Sequence, residues 1–445
     1  MAGKEHVVID VEEKPEFNHS WMHYMKSKIL ESCESENFFD GPPIFIARVG
    51  ENVGSGIEDY YNPKLVSVGP YHHGNSQLQA MEGYKAKCLK DLLDRNSTPF
   101  EKCLEELRKK EAQARKCYKA TVTDEHSVWE LVGIMVVDAG FIIELFMKQS
   151  EGRHPSVFNS IYPLIKRDLL LLENQLPFSI LQCMFDLTIA KSQMGPTLHD
   201  IAFGFFNHRE QRRSALPPPD CVHHLLHLYQ SQFIPDTFFR EPGPIFSIPS
   251  ANKLHMMGVE FEPASNNSLL TDVEFNNEHV VMQIPRLFID EETIALFTNL
   301  ITFEQTHIGF GTHFTSYAVF ISYILSDEVD VEFLAEKEII ERRLPNQKEL
   351  AQLFRNMCSG VSVNLYFSPL SLVLRDVKHY SESSEAIRRK TIWEARMAEK
   401  PWYYFFYKDK LSIALTLVAG VGGVGVWIFT CLQTVYTILA YYHAS

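Results

Sequence analysis

The stretch from Leu411 to Leu432, LSIALTLVAGVGGVGVWIFTCL, contains no ionisable side chain except that of Cys431. About 20 apolar residues at a rise of about 1.5 Å each match a hydrocarbon core of about 30 Å. A buried helix of a soluble domain is the alternative, but such a helix seldom stays uncharged as far as Tyr442. The sequence therefore predicts one C-terminal transmembrane helix within residues 411–442, followed by a short tail at 443–445.

The residues on either side of this stretch favour a membrane interface. Aromatic side chains are enriched at lipid head groups, and they stand here on both sides: Trp402, Tyr403, Tyr404 and Tyr407 before the stretch, and Tyr436, Tyr441 and Tyr442 at its end. Residues 401–410 are thus predicted to be an interfacial flank, marked by Trp402, Lys408 and Lys410.

Small residues in the predicted anchor suggest self-association. Ala419 and Gly423 are four positions apart, the spacing that lets two membrane helices approach closely. We therefore predict an anchor that can form a homo-oligomer. The alternative is that the small residues only make the helix more flexible and form no contact. The residues that define the anchor are Leu411, Ala419, Gly423, Trp427 and Leu432.

The charges that flank the predicted anchor indicate its orientation. Seven Lys and Arg residues lie from Arg388 to Lys410, whereas His443 is the only basic residue after Ala440. The positive-inside rule therefore places the large N-terminal part in the cytosol. Residues 1–16 read as a flexible N-terminus without a secretory signal. Acceptor sequences for N-glycosylation at Asn18, Asn96 and Asn266 keep an extracellular or lumenal orientation open.

Composition excludes some classes of function. The formal net charge of -14 argues against a general nucleic-acid binder, because nothing but a local patch would offset phosphate repulsion. The eight cysteines include no C-x-x-C pair, which favours reduced thiols in a cytosolic domain. A redox pair among Cys33 to Cys117 is the alternative.

Hydrophobic periodicity predicts a mainly α fold of the α+β class. Residues 17–400 read as one large, mostly helical domain, with the Pro-rich segment 207–220 as a linker between lobes. Alternating apolar residues around Asn276 and Asn277 predict a small antiparallel β-hairpin or sheet. Val128 to Lys148 predicts a buried core helix, and Arg375 to Lys400 a long helix that leads to the anchor.

Several acidic residues fall inside apolar segments. Asp138 lies within the predicted core helix, and Arg167 and Asp168 lie beside a run of leucines. A buried carboxylate needs a cation or hydrogen-bond donors. We expect Asp138 or Asp168 to pair with Arg167 inside the fold, and a catalytic pair of carboxylates is the alternative.

One cluster of potential metal ligands merits a test. Cys221, His224 and His227 are three positions apart, so a helix would bring them to one face. No fourth ligand at a zinc spacing is visible, and the neighbouring leucines favour a packing helix. These residues are weak metal candidates; no cofactor and no catalytic residue is predicted.

Short blocks of sequence identify a resemblance. The blocks YNPKLVSVGPYHHG, with Met81, Glu82 and Lys85 after it, and then DLLLLENQLPF, MMGVEF, IPRLFID, FTNLITFEQ and CLQTVY are similar to those of a plant family, domain of unknown function 247, also called uncharacterised protein family 0481. The blocks cover the chain from about Trp21 to Tyr436. The sequence departs from the family at IARVG and in its Gly-rich anchor.

The resemblance implies a land-plant protein with a C-terminal transmembrane segment and no established catalytic residues. Some grass members are associated with self-incompatibility in pollen recognition. Together these features favour a membrane-anchored protein that binds an unidentified protein in recognition or signalling. A membrane-tethered structural or trafficking adaptor is the alternative. An enzyme of unknown class is a third and less favoured interpretation, because the sequence contains no signature of a known reaction.

Overall fold

The computed structural model describes residues 46–49, 57–119, 125–153, 160–189, 196–206, 221–233, 247–265, 268–269, 271–307, 310–342, 347–359, 361 and 370–398. These residues belong to two compact units. Unit 1 lies within Met1–Phe239, Ile289–Ala318 and Arg355–Val363. Unit 2 lies within Arg240–Phe288, Val319–Phe354 and Asn364–Ser445. The predicted lobe linker at 207–220 falls outside the described residues.

Most of the described chain is helical. The α-helices are, in order, α1 Glu82–Arg95, α2 Phe100–Arg115, α3 Val128–Ser150, α4 Tyr162–Leu169, α5 Phe178–Thr188, α6 Leu198–Phe206, α7 Leu225–Ser231, α8 Ala251–Met256, α9 Glu291–Thr306, α10 His313–Ile324, α11 Glu328–Glu336, α12 Gln347–Met357, α13 Ser371–Ser381 and α14 Ser384–Ala398. Two 3-10 helices, Glu58–Tyr61 and Ser76–Met81, precede α1. The strands are β1 Glu260–Pro263, β2 Glu274–Asn276, β3 Val281–Ile284, β4 Leu287–Ile289 and β5 Ile340–Arg342.

Helix α3 forms the centre of unit 1. It begins at a capping box, in which the Ser127 hydroxyl accepts from the Glu130 amide and the Glu130 carboxylate accepts from the Ser127 amide. Helices α1, α2, α5 and α6 pack around it. Gly140 allows the closest approach, because a Cβ atom there would lie 2.5 Å from Leu89 Cδ1 of α1. The buried core helix that the sequence predicted is therefore present.

Unit 2 contains a three-stranded sheet in the order β1-β3-β2. Strands β2 and β3 pair antiparallel, with Phe275 opposite Met282, and Asn276 accepts two amide hydrogen bonds at the bend between them. This is the predicted hairpin. Strand β1 adds in parallel, with Phe261 opposite Met282, so the sheet is mixed rather than antiparallel. Strands β4 and β5 form a second, two-stranded sheet.

The predicted fold class therefore needs correction. The mainly helical fold with small sheets is observed, but in the part of the chain that the structure describes no helix is both long and apolar enough to cross a membrane. The transmembrane helix is thus not part of the described fold, and the residues assigned to it, 411–442, lie outside the described residues. The long helix expected between Arg375 and Lys400 is divided into α13 and α14. After Ser381 the Ser383 amide donates to the Tyr380 carbonyl in a tighter turn, and the Ser383 hydroxyl accepts from the Ala386 amide at the start of α14.

Candidate functional site

Residues 62–70, here called the clamped segment, run through unit 1 without forming a helix or a strand. Pro63 and Pro70 lack amide hydrogens, and Gly69 has a φ of 75°, which favours glycine. Buried backbone N–H groups need acceptors, and among the described residues no strand pairs with the clamped segment to supply them. Side chains take that role.

Asp168 satisfies the first part of the clamped segment. Its Oδ2 atom accepts from the amides of Lys64, Leu65 and Val66 at 3.1, 2.7 and 3.0 Å. Its Oδ1 atom lies 2.7 Å from Nη1 of Arg167, and both side chains are almost fully buried. Burial raises the pKa of Asp168 even though these donors oppose the rise. The expected pairing of Asp168 with Arg167 is therefore present.

Arg167 also reaches the backbone that precedes the clamped segment. Its Nη1 atom donates to the Asn62 carbonyl at 3.1 Å, and its Nη2 atom donates to the Asp59 carbonyl at 3.3 Å. One guanidinium therefore ties a carboxylate and two carbonyls together, a geometry that a lysine would not reproduce.

Asp138 pairs with Lys85, not with Arg167. The Lys85 Nζ atom lies 2.5 Å from Asp138 Oδ1 and donates to the Ser67 carbonyl at 3.0 Å. The other carboxylate oxygen of Asp138 accepts from the Gly69 amide at 2.9 Å. Burial disfavours the ammonium of Lys85, but the charges and hydrogen bonds of Asp138 and Glu82 together outweigh it, and the pKa of Lys85 is raised. Glu82 adds a second carboxylate, 2.7 Å from the same Nζ.

Two buried amide side chains complete the network. Asn174 accepts from the Val68 amide at 2.7 Å and donates to the Val66 carbonyl at 3.0 Å. Asn299 accepts from the Leu172 amide at 2.8 Å and donates to the Tyr60 carbonyl at 3.0 Å. Asn174 stands in the block DLLLLENQLPF, so that block acts as a support for the block YNPKLVSVGPYHHG.

The outer side of this region is an open polar cleft of about 650 Å³. Lys64 and Glu291 form an exposed ion pair at its edge, with 2.5 Å between Nζ and Oε2. Burial, and to a lesser extent Arg48, lowers the pKa of His72 to about 4, so this imidazole is neutral near pH 7. The lining residues are Asp59, Tyr60, Asn62, Pro63, Lys64, His72, Asn75, Gln77 and Glu291. They offer carboxylate, amide and ammonium groups that suit hydrogen bonding to a polar partner surface.

The structure does not bring the three metal candidates together as ligands. Helix α7 begins only at Leu225, so Cys221 is exposed ahead of it and His224 is its N-cap. The His224 Nδ1 atom accepts from the His227 amide at 3.2 Å. Across the described residues, no group of three His, Cys, Asp or Glu side chains is arranged to hold a metal ion.

A buried carboxylate near these histidines was missed by sequence reasoning. Glu304 accepts from the amides of Phe314 and Thr315 at 3.0 and 2.8 Å, and from Gln230 Nε2 at 2.9 Å. It thereby joins α9 to α7 and to the N-terminus of α10. Burial raises the pKa of Glu304 to about 7, although its hydrogen bonds oppose the rise. In the sequence, the only sign that Glu304 is important was its place in the block FTNLITFEQ.

The anchor and flank residues lie outside the described residues: Leu411, Ala419, Gly423, Trp427 and Leu432, and Trp402, Lys408 and Lys410. Lys85, Asn174 and Asn299 support the clamped segment without having been predicted to do so. Their signal was again their place in or next to one of the sequence blocks, because a polar side chain does not by itself reveal its partner.

Comparison with known proteins points to one family. The model of the family described as DUF247, plant protein of unknown function, matches residues 46–420. The UPF0481 protein At3g47200 of Arabidopsis thaliana is 28% identical over 398 residues, covering 80% of this chain and 79% of that protein. The putative UPF0481 protein At3g02645 of the same plant is 22% identical over 456 residues, covering 79% and 85%. No solved structure matches the chain.

Proposed function

We propose that this chain, which belongs to the DUF247 family of plant proteins of unknown function, recognises another protein through the polar cleft that the clamped segment supports. The observation that carries the proposal is the network of buried side chains around the clamped segment, which is itself mostly buried and whose exposed residues Asn62 and Lys64 line the cleft. Asp168, Asp138 and Asn174 satisfy backbone amides that a strand would otherwise pair. Their effect is to fix the backbone from which Asn62 and Lys64 reach the cleft.

A fixed loop is suited to recognition for a physical reason. Ordering one backbone residue costs about 1–2 kcal/mol, and a loop that is already ordered does not incur this cost when it binds. Binding residues are also found disproportionately on loops that a rigid scaffold positions. Six of the nine cleft residues are exposed, and these six are charged or amide-bearing, as at the polar parts of protein interfaces.

Matched variants of the full-length protein test this proposal in plant cells. Asp59→Lys with Gln77→Lys places two new cations in the cleft, where both parent residues are exposed. Glu105→Lys with Gln113→Lys makes the same two changes on the exposed face of α2. Each protein is fused to a proximity-labelling enzyme, and its labelled neighbours are quantified.

The cleft variant is expected to lose a defined set of labelled neighbours that the α2 variant keeps. Both variants should have the same melting temperature as the unmodified protein. If both variants label the same neighbours in the same amounts, the cleft is not a recognition surface and the proposal fails.

We further propose that both units face the cytosol. The described cysteines are free thiols, Cys88, Cys103, Cys117, Cys183, Cys221 and Cys358, as a reducing compartment favours. The side-chain nitrogen of Asn96, which would carry a glycan, donates to the Thr188 carbonyl. Treatment of the plant-expressed protein with an N-glycan-removing enzyme should leave its gel mobility unchanged. A downward shift would place the recognition surface outside the cytosol.

A further inference from the structure

A second concave surface lies entirely within unit 2. It is a groove of about 360 Å³ between the end of α8, the start of β1 and one face of α14, here called the α8–α14 groove. One wall carries His255, Met256, Gly258, Val259 and Glu260, and the other carries Arg389, Ile392, Trp393 and Arg396. A volume of this size accommodates one or two amino-acid side chains rather than a large cofactor.

Hydrogen-bond donors dominate the α14 wall. The guanidinium groups of Arg389 and Arg396 donate and never accept, and the indole nitrogen of Trp393 is also a donor only. The Trp393 Nε1 atom is buried and has no acceptor among the described residues. A buried donor in this state is unfavourable. The groove therefore suits a ligand that is rich in acceptors.

The same helix carries apolar side chains that face solvent. Ile387 is 53% exposed and Ile392 is 39% exposed, although both are large hydrophobic residues. Ile392 lines the groove together with Trp393 and Met256. A ligand for this surface gains from an apolar group as well as from acceptors.

Gly258 leaves space for the side chain of Arg389. It has a φ of 94°, and a Cβ atom there would lie 2.5 Å from Arg389 Nη1 and 2.7 Å from Arg389 Cδ. The arginine side chain therefore lies directly over the glycine. Arg389 Nη2 also donates to Glu385 at 2.6 Å in an exposed pair, which a carboxylate from a partner can replace.

We propose that the α8–α14 groove binds a short acidic peptide segment of another protein. One apolar side chain of that segment enters between Ile392 and Met256, and flanking carboxylates bind Arg389 and Arg396. A peptide fits better than an anionic membrane, because the concave groove admits a single side chain between its walls, whereas a flat lipid surface does not enter it. This site is separate from the cleft of unit 1, so either proposal can fail alone.

Fluorescence anisotropy with the full-length protein tests the proposal. The probe is a labelled dodecapeptide with four Glu or Asp residues around one Leu and one Phe. Arg389→Ala with Arg396→Ala should weaken its binding about tenfold or more, because two charge-assisted contacts are lost. Lys87→Ala with Lys90→Ala removes two exposed positive charges from α1 and serves as the control, with affinity expected within about twofold of the unmodified protein.

Variants of the peptide separate the two parts of the site. Replacing its acids by amides should lower affinity about tenfold or more, and replacing Leu and Phe by Ala should do the same. Equal affinity for the arginine and lysine double variants, with both folded as judged by melting, overturns the proposal. It is also overturned if vesicles containing phosphatidylserine bind in a manner that depends on Arg389 and Arg396 while the peptide does not.

Discussion

The Nζ atom of Lys85 on α1 lies 2.5 Å from the Oδ1 atom of Asp138 on α3, and the two side chains are 1% and 2% exposed. Breaking a buried ion pair by removing one partner leaves an uncompensated charge, which typically costs about 3–5 kcal/mol. Lys85→Met should therefore lower the free energy of unfolding by about 3 kcal/mol or more, as measured by urea denaturation followed by circular dichroism.

The matched control for this change is Lys87→Met, two positions along the same helix and exposed to solvent. It should alter stability by less than about 0.5 kcal/mol. Equal stability of the two variants would mean that the charge of Asp138 is compensated without Lys85.

The second prediction concerns the order of the clamped segment. Asp168→Ala removes the acceptor for the amides of Lys64, Leu65 and Val66, so those amides should exchange with deuterium at least about tenfold faster. Hydrogen exchange read by mass spectrometry on a peptide that contains these residues measures the change. Peptides from α2 provide an internal reference and should keep their rates. Unchanged exchange at Leu65 and Val66 would show that other contacts hold the clamped segment.

Periodicity predicted the elements whose signal is local. The apolar run from Val128 gave a buried helix, and alternation around Asn276 gave the hairpin of β2 and β3. The need of Asp138 for a charged partner was also predictable, because a carboxylate in an apolar helix has few alternatives.

Contacts between residues distant in sequence were not predictable in the same way. Lys85 lies 53 residues before Asp138 and on a different helix, and nothing in the spacing connects them. Strand β1 pairs with β3 in parallel through backbone hydrogen bonds. Backbone pairing leaves no pattern in the side chains of β1 that would identify β3 as its partner. The structure does not bring Cys221 and His224 to one helical face for a local reason, because the helix that would align them begins after both.

A third prediction uses the contact between Gly258 and Arg389. The left-handed φ of Gly258 should make Gly258→Ala destabilising by about 1–2 kcal/mol. The atoms that a new Cβ would meet belong to a flexible side chain, which can move away. Gly258→Ala should therefore cost the same, within about 0.5 kcal/mol, in the unmodified protein and in Arg389→Ala, because the backbone strain remains in both.

Gly83 is the control for this prediction. It lies in α1, and a Cβ atom there would meet nothing within 4 Å. Gly83→Ala should stabilise the protein by about 0.5–1 kcal/mol, because alanine loses less conformational freedom in a helix. If Gly258→Ala behaves in the same way, the glycine is not required by its backbone conformation.

The last prediction concerns the histidines beside Glu304 in unit 1. Burial is the main cause that lowers the pKa of His223 to about 4, of His227 to about 3 and of His313 to about 4, and His307 lies near the first two. Unfolded histidines bind protons below about pH 6.5, whereas these folded ones do not until about pH 3 to 4. Their contribution to stability is therefore lost as the pH falls from about 6.5.

Glu304 opposes the histidines, because its pKa is about 7 when folded and 4.5 when unfolded. The folded state binds the extra proton, so this contribution is lost as the pH rises from 4.5 through 7. Each proton changes stability by roughly 1.4 kcal/mol per pH unit, and three histidines outweigh one carboxylate, so acidification from pH 6.5 to 4.5 should reduce what this cluster contributes to the stability of unit 1. Glu304→Gln removes the opposing group, so its stability should fall more steeply with acid over that range in urea denaturation. A shallower fall in that variant would contradict the raised pKa of Glu304.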